Sequence, residues 1–277
     1  GGIIFNLIYN MGASILRAVG DSKRPLYVLI VTCILNIVLD LFFVVAFHMG
    51  IVGVAVATVT SQVVSALIVT GMLLKTREIY VLKISRIRFD KRMLLSVLCI
   101  GIPAGLESVM YNISNIVIQV FVNNLGTDTV AAWGTLGKID AIFWMVINAF
   151  AISITTFVGQ NFGAGKYHRM RKSVSVCMIM SMVSSAVMIL LMYGGAPWIY
   201  RLFTTDSAVI AHGVHMSRFL LPSYFVYVII GILSGALRGT GKVLVPMILT
   251  CGGVCSLRIL WLFTAGQMYP GINTIML

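Results

Sequence analysis

Six ionisable side chains stand inside long apolar runs of this chain: Asp40, Glu107, Lys138, Asp140, Arg218 and Arg258. In low-dielectric surroundings such a group is costly unless it is paired, protonated or bound to a counter-ion. These positions are therefore candidates for holding protons, cations or charged organic molecules. Glu107 heads a polar series with Ser108, Tyr111, Asn112, Asn115 and Gln119. Their spacing of three and four puts them along one side of a helix. A stripe this polar lines either a cavity or a hydrogen-bonded neighbour, and the cavity reading makes Glu107 a cation or proton site.

Asp140 and Lys138 lie on the following segment, with Asp140 at a depth similar to that of Glu107. Two residues apart, Lys138 and Asp140 do not face each other on a helix, so each needs a partner elsewhere. Two acids at one depth can share a proton or a cation. This singles out Asp140 with Glu107 as the coupling pair and Lys138 as a competing internal cation, against a structural role for both residues of the second segment. Asp40, with Asn36 one turn before it, and Arg258 read as structural charge partners, Arg258 neutralising an acid in its own half.

These groups need elements to hold them, and composition says which kind. Of the 277 residues, 59% are hydrophobic and 10% charged, and mean hydropathy is +1.01. A soluble domain carries about 25% charged residues, or roughly 70 at this length. A soluble enzyme, a disordered tail and a disulfide-rich secreted domain are excluded together, leaving an all-α polytopic membrane protein. Eight spans are predicted, at 3–16, 26–47, 51–74, 94–123, 130–158, 173–199, 208–237 and 243–265, with a ninth starting near 272. Both ends fall in apolar runs, so the chain is expected to be a fragment. The five cysteines lie in apolar segments without metal-ligand spacing and read as small core residues.

Net charge is +12, which could suggest a nucleic-acid partner, but its distribution argues otherwise. Arg17, Lys23 and Arg24 follow the first span, and Lys75, Arg77, Lys83, Arg86, Arg88, Lys91 and Arg92 follow the third. Lys166, Arg169, Arg171 and Lys172 follow the fifth, with Arg238 and Lys242 after the seventh. The alternate connections hold only Arg201. Cationic loops stay cytoplasmic, so the charge reports topology, and no nucleic acid is expected. The resulting organisation is 1–74, 75–92 as a basic cytoplasmic linker, and 93–277. The linker reads as solvated, with contact to anionic lipid a secondary role.

Residues 1–51 and 222–272 match at a constant offset of 221. Leu16-Arg17 falls on Leu237-Arg238, Gly20 on Gly241, Pro25 on Pro246 and Gly50-Ile51 on Gly271-Ile272. In each copy a helix ends in a basic, glycine-containing turn, and proline sits in the opening turn of the next helix. Both copies start from the same side, so the halves form parallel repeats about a pseudo-two-fold axis along the membrane normal. Six helices per repeat give twelve in full, of which about eight are present. A fragment of this extent is not expected to transport alone.

The turn Leu237-Arg-Gly-Thr-Gly-Lys-Val-Leu-Val-Pro246, with its partner at 16–25, resembles the repeated turn of the MATE (multidrug and toxic compound extrusion) transporters. Gly101-Ile-Pro-Ala-Gly105, Asn124-Leu-Gly-Thr-Asp-Thr-Val-Ala-Ala132 and Val158-Gly-Gln-Asn-Phe-Gly-Ala-Gly165 are similar to that family in the same order. The resemblance implies two six-helix lobes around a central cavity: 1–74 as the remainder of the N-terminal lobe, and 93–277 as the C-terminal lobe with the start of its sixth helix. It also implies export of small organic, often cationic compounds across the bacterial plasma membrane, in exchange for H+ or Na+, without enzymatic activity. The sodium-coupled branch would carry a further acid on the helix at 208–237. Neither Asp nor Glu occurs after Asp206, which favours protons. A lipid-linked saccharide flippase of the same superfamily would need a wide, strongly cationic cavity, and a heptahelical receptor would show no repeat. No cofactor or metal site is expected. His212 and His215 read as surface or cap residues, and Gly163-Ala-Gly165-Lys166 lacks the phosphate-loop pattern.

Overall fold

A computed structural model of the chain describes residues 2–268 and 271–272. Ten α-helices account for nearly all of them, with no strand among the described residues. They are α1 (Ile3–Ala18), α2 (Lys23–Leu41), α3 (Gly50–Lys75), α4 (Lys91–Asn123), α5 (Thr127–Gly163), α6 (Tyr167–Arg201), α7 (Ser207–Leu220), α8 (Tyr224–Gly239), α9 (Leu244–Ile248) and α10 (Leu257–Met268). A π-helical turn, Phe42–Ala46, extends α2, and a π-helical stretch, Leu249–Ser256, joins α9 to α10. A 3-10 turn, Leu221–Ser223, joins α7 to α8 around Pro222. Seven continuous helical segments are long and apolar enough to cross a membrane; α1, with 16 residues, is shorter. Each predicted span is thus a helix. The ninth, from 272, falls mostly on residues outside those described.

The chain divides into two compact units, Gly1–Phe89 and Asp90–Leu277. In the first, α1, α2 and α3 pack around Leu16, Val28, Val69 and Leu73. Leu82 N–H donates to Leu73 O at 2.9 Å, so the start of the linker folds back onto this core together with Tyr80. In the second unit α5 is the central element. Its Phe143, Ile147, Ile154 and Val158 meet Ile189 of α6 and Tyr224, Val228 and Ile232 of α8. Nearer its start, Ala132 and Leu136 meet Tyr200 of α6 and Met216 of α7. The outer surface carries leucines and isoleucines such as Leu190, 72% exposed, and Leu191, 68% exposed. Such a surface suits lipid as the solvent and not water.

Pro103 lies inside α4, which begins at Lys91. One detail of the sequence reading changes. The cysteines are not uniformly core residues, since only Cys255 is buried while Cys33 and Cys99 are exposed on the apolar surface.

The repeated turn has one geometry in both copies. Asp21 N–H donates to Leu16 O at 2.9 Å and Gly20 N–H to Arg17 O at 2.9 Å. At the 221-residue offset, Lys242 N–H donates to Leu237 O at 3.1 Å and Gly241 N–H to Arg238 O at 2.9 Å. The glycines take φ of 91° and 81°, the left-handed conformation that closes a helix end without a side-chain cap. The end of α5 repeats it a third time, with Lys166 N–H to Asn161 O at 2.8 Å and Gly165 at φ 68°.

α8 approaches α5 through Gly231, Gly235 and Gly239, a small-residue stripe at four-residue spacing. A Cβ on Gly239 would stand 2.6 Å from Thr155 O, and one on Gly235 would stand 2.8 Å from Ala151 O. The same closeness lets Thr155 Oγ1 donate to Gly235 O at 2.9 Å. At Gly231 the nearest atom to a Cβ would be Ile147 Cγ2 at 3.7 Å, an ordinary contact. Overpacking costs about 1–3 kcal/mol. Gly235→Ala and Gly239→Ala should therefore each lower the thermal midpoint of the detergent-solubilised protein clearly, and Gly231→Ala should leave it nearly unchanged. Equal midpoints for all three variants would contradict the contact.

Candidate substrate and ion cavity

The second unit has an open-sided cavity of about 1090 Å³ between α4, α5, the α7–α8 junction and the helix that runs from the π stretch into α10. α4 contributes Tyr111, Asn115 and Gln119, spaced four apart on one face. α5 contributes Trp133, Asp140 and Trp144, and α8 contributes Tyr224 and Tyr227. Gly253, Leu257, Arg258 and Trp261 complete the wall. The α7–α8 break at Pro222 places Tyr224 at a helix start, where its ring packs on Phe143 at 4.9 Å and Trp144 at 5.6 Å. Trp144 also meets Tyr227 edge-on at 5.7 Å.

Asp140 is held in this aromatic wall by the Tyr224 hydroxyl, which donates to its Oδ2. Its other oxygen, Oδ1, is buried with no hydrogen-bond partner. One half of the carboxylate is thus positioned, while the other half retains unused acceptor capacity. An acceptor in this state can take a proton or a cationic group at the cavity wall.

Glu107 is engaged differently from the expected coupling pair. Arg238 Nη2 donates to both its carboxylate oxygens, at 2.8 and 2.7 Å, and Glu107 does not line the cavity. The structure therefore gives Glu107 and Asp140 different surroundings: the first pairs with a permanently charged guanidinium at the end of α8, the second with none. The sequence estimate of depth started α4 at residue 94, and helix-to-helix pairing across 131 residues leaves no mark in local spacing. Arg238 accordingly has a partner as well as a place among the loop cations. Lys138 is also outside the cavity; it is exposed, with Nζ 5.8 Å from the centroid of Phe203. Asn112 turns back to Ser108 O at 2.8 Å and is likewise outside, so the predicted stripe divides between its two edges.

Arg258 departs from its expected role. Among the described residues the ion pairs are Arg24–Asp21 and Arg238–Glu107, so Arg258 neutralises no acid of its own unit and instead faces the cavity. In the first unit, Asn36 Nδ2 and Asp40 Oδ1 are both buried without a hydrogen-bond partner. The repeat-turn residues Arg17, Gly20, Pro25, Arg238, Gly241 and Pro246 all lie at helix junctions. The aromatic members of the wall (Trp133, Trp144, Tyr224, Tyr227) were not anticipated, although Trp144 follows Asp140 at four-residue spacing.

Comparison with known proteins adds the family. The MatE family model matches residues 103–264, more than half of the chain and nearly all of the helices that build the cavity. The chain belongs to the MatE family. A second model, lipid II flippase MurJ, matches residues 1–136. Similar curated proteins are the probable multidrug resistance proteins YoeA and YpnP of Bacillus subtilis (strain 168). They are 28% identical over 253 residues and 29% identical over 252 residues. The matches cover 89% and 90% of this chain but 55% of each relative, so the chain spans about half the length of these relatives. Among solved structures, a MATE protein in a bent conformation matches with a TM-score of 0.88 at 21% identity, over 99% of this chain and 61% of that one. An outward-facing multidrug resistance MATE family transporter of the MOP superfamily matches with a TM-score of 0.88 at 21% identity, over 97% and 60%. These likenesses show the MATE fold, an all-α multi-pass membrane protein.

In this MatE chain the Glu107–Arg238 contact should behave as a coupled pair. Glu107 is 13% exposed and Arg238 39%, so solvent screens part of their attraction. Glu107→Gln and Arg238→Gln should each destabilise the protein, and the double variant should be less destabilised than the sum by about 0.5–3 kcal/mol. A thermal double-mutant cycle measures this, and strict additivity would show that the pair is not formed.

Proposed function

We propose that the protein carrying this chain is a secondary active transporter of a bacterial plasma membrane, exporting small organic, often cationic compounds by antiport with H+ or Na+. The observation that carries this reading is Asp140: a carboxylate in an aromatic cavity with one oxygen held by Tyr224 and the other unsatisfied. An organic cation gains from both parts of such a wall, by charge pairing with the carboxylate and by lying over the faces of Trp144, Tyr227 or Tyr111. A proton or small cation on Asp140 removes the first attraction, so loading the coupling ion releases the substrate. Competition for one site couples the two fluxes without a separate signal between them.

Glu107 takes a supporting place in this scheme, through its pair with Arg238 at the end of α8. Lys138 has no assigned part in it. The basic connections, the apolar outer surface and the repeated turn agree with a multi-pass carrier whose cationic loops are cytoplasmic.

Export of a lipid-linked saccharide is the second reading, favoured by the match of residues 1–136 to the lipid II flippase model. A pyrophosphate-linked saccharide calls for several cations around its phosphates. Among the described residues lining the cavity of the second unit, Arg258 is the one cation, together with an acid and a group of aromatic rings, which supports the organic-cation reading instead.

Everted membrane vesicles containing the full-length protein test it. Energisation should drive accumulation of a lipophilic cationic dye, and Asp140→Asn should reduce the rate about tenfold or more, as loss of a charged contact worth more than about 1.4 kcal/mol would. Undiminished dye transport by Asp140→Asn, at equal protein level in the membrane, would refute the assignment of the coupling site.

A further inference from the structure

The cavity carries one charge that export of simple cations does not explain. Arg258 lines it, on α10, opposite in sign to Asp140 on α5. No ion pair joins them, and among the described residues Arg258 has no acidic partner. Tyr111 of α4 lines the same cavity as both groups. The two charges therefore share one aromatic chamber without neutralising each other.

Local backbone structure accounts for the placement. The helix leading to Arg258 is π-helical over Leu249–Ser256, and Ser256 Oγ donates to Cys251 O, five residues back, at 2.8 Å. This wider winding turns the residues after it relative to an α-helical continuation, and Gly252 and Gly253 have open space around them. Interruptions of this kind gather at functional sites. At the corresponding position of the first repeat, Ile37, α2 is regular and the residue is apolar. The second copy thus differs from the first by a permanent cation and by the backbone that presents it.

We infer that Arg258 is an anion-recognising, specificity-determining group of this cavity, which holds the carboxylate of a substrate whose cationic end lies at Asp140. A guanidinium cannot lose its charge, so it repels a simple cation placed in the same chamber. Its planar fork of donors matches a carboxylate in a bidentate manner. A substrate bearing both signs satisfies Asp140 Oδ1 and Arg258 together, while its rings lie among Trp144, Tyr111 and Tyr227. The cavity, about 1090 Å³, has room for a fused-ring molecule of this type.

The inference rests on the export reading and names a specificity-determining residue for its site. The test uses a matched pair of probes: a rhodamine dye as its free carboxylic acid, which is zwitterionic, and as its methyl ester, which is cationic. Binding to the full-length purified protein is read by fluorescence polarisation, for the wild type and for the Arg258→Gln, Arg258→Lys and Asp140→Asn variants. The wild type should prefer the free acid over the ester by about tenfold, the ratio expected for one additional charge-assisted contact. Arg258→Gln should erase that preference, and Arg258→Lys should retain part of it as a point charge without the fork. Asp140→Asn should weaken both dyes.

A wild type that binds the two dyes equally, or an unchanged preference in Arg258→Gln, overturns the inference. If Asp140→Asn still weakens the ester in that case, the export reading stands without it. Failure of folded wild type to bind either dye overturns both.

Discussion

The close approach of α8 to α5 is the constraint on which the second unit depends. In hydrocarbon there is little hydrophobic force to draw helices together, so association relies on van der Waals contact and on polar contacts at short range. Glycine at 235 and 239 lets the α8 backbone reach the carbonyls of Ala151 and Thr155, and the Thr155 hydroxyl crosses to Gly235 O. Everything that α8 carries is placed by this contact. Tyr224 at its start is brought onto Phe143, Trp144 and Asp140, and Arg238 at its end is brought to Glu107. One helix thereby sets the two carboxylates inside the apolar spans of the unit, Glu107 and Asp140, in opposite electrical situations, one neutralised by a fixed cation and the other left with an open acceptor.

That difference gives the cavity its character. A chamber lined by two neutralised acids would be an ordinary packing defect, and one lined by two open acids would be hard to dehydrate. Here a single carboxylate is oriented by a phenol within a ring of aromatic side chains, and a guanidinium sits on another wall. The π-helical run before Arg258 and the 3-10 turn before Tyr224 are both departures from regular helix next to this chamber. In a membrane, irregular backbone is tolerated where it faces protein or a cavity and not lipid, so their positions agree with the location of the chamber.

Much of the fold could be read from the residues because its signals are local. Span lengths follow from bilayer thickness, the cationic connections mark every second loop, and the repeated Leu-Arg-x-x-Gly turn folds in both copies with matching hydrogen bonds. The existence of Asp140 as an isolated acid was equally visible, as was the polar face of α4. The partners were not. Glu107 with Arg238 and Asp140 with Tyr224 are contacts across 131 and 84 residues, determined by how far helices slide along each other. The surroundings of Arg258 were hidden for a related reason: the π winding over Leu249–Ser256 alters the direction of everything after it. The glycine stripe of α8 was legible in principle, since three glycines at four-residue intervals on an apolar helix are a packing face.

The repeated turn has one more consequence. A helix end exposes unpaired carbonyls and with them the negative pole of the helix macrodipole, which attracts cations in the last turn. Arg17 and Arg238 occupy that last turn, and Lys166 follows the third copy of the cap. The residues that tell the membrane which way to receive the chain are therefore the ones that stabilise its helix termini once inserted. Reversing the sign of these loops would thus both weaken the orientation signal and set like charges against the helix ends, so insertion and folding of this chain draw on the same few cations.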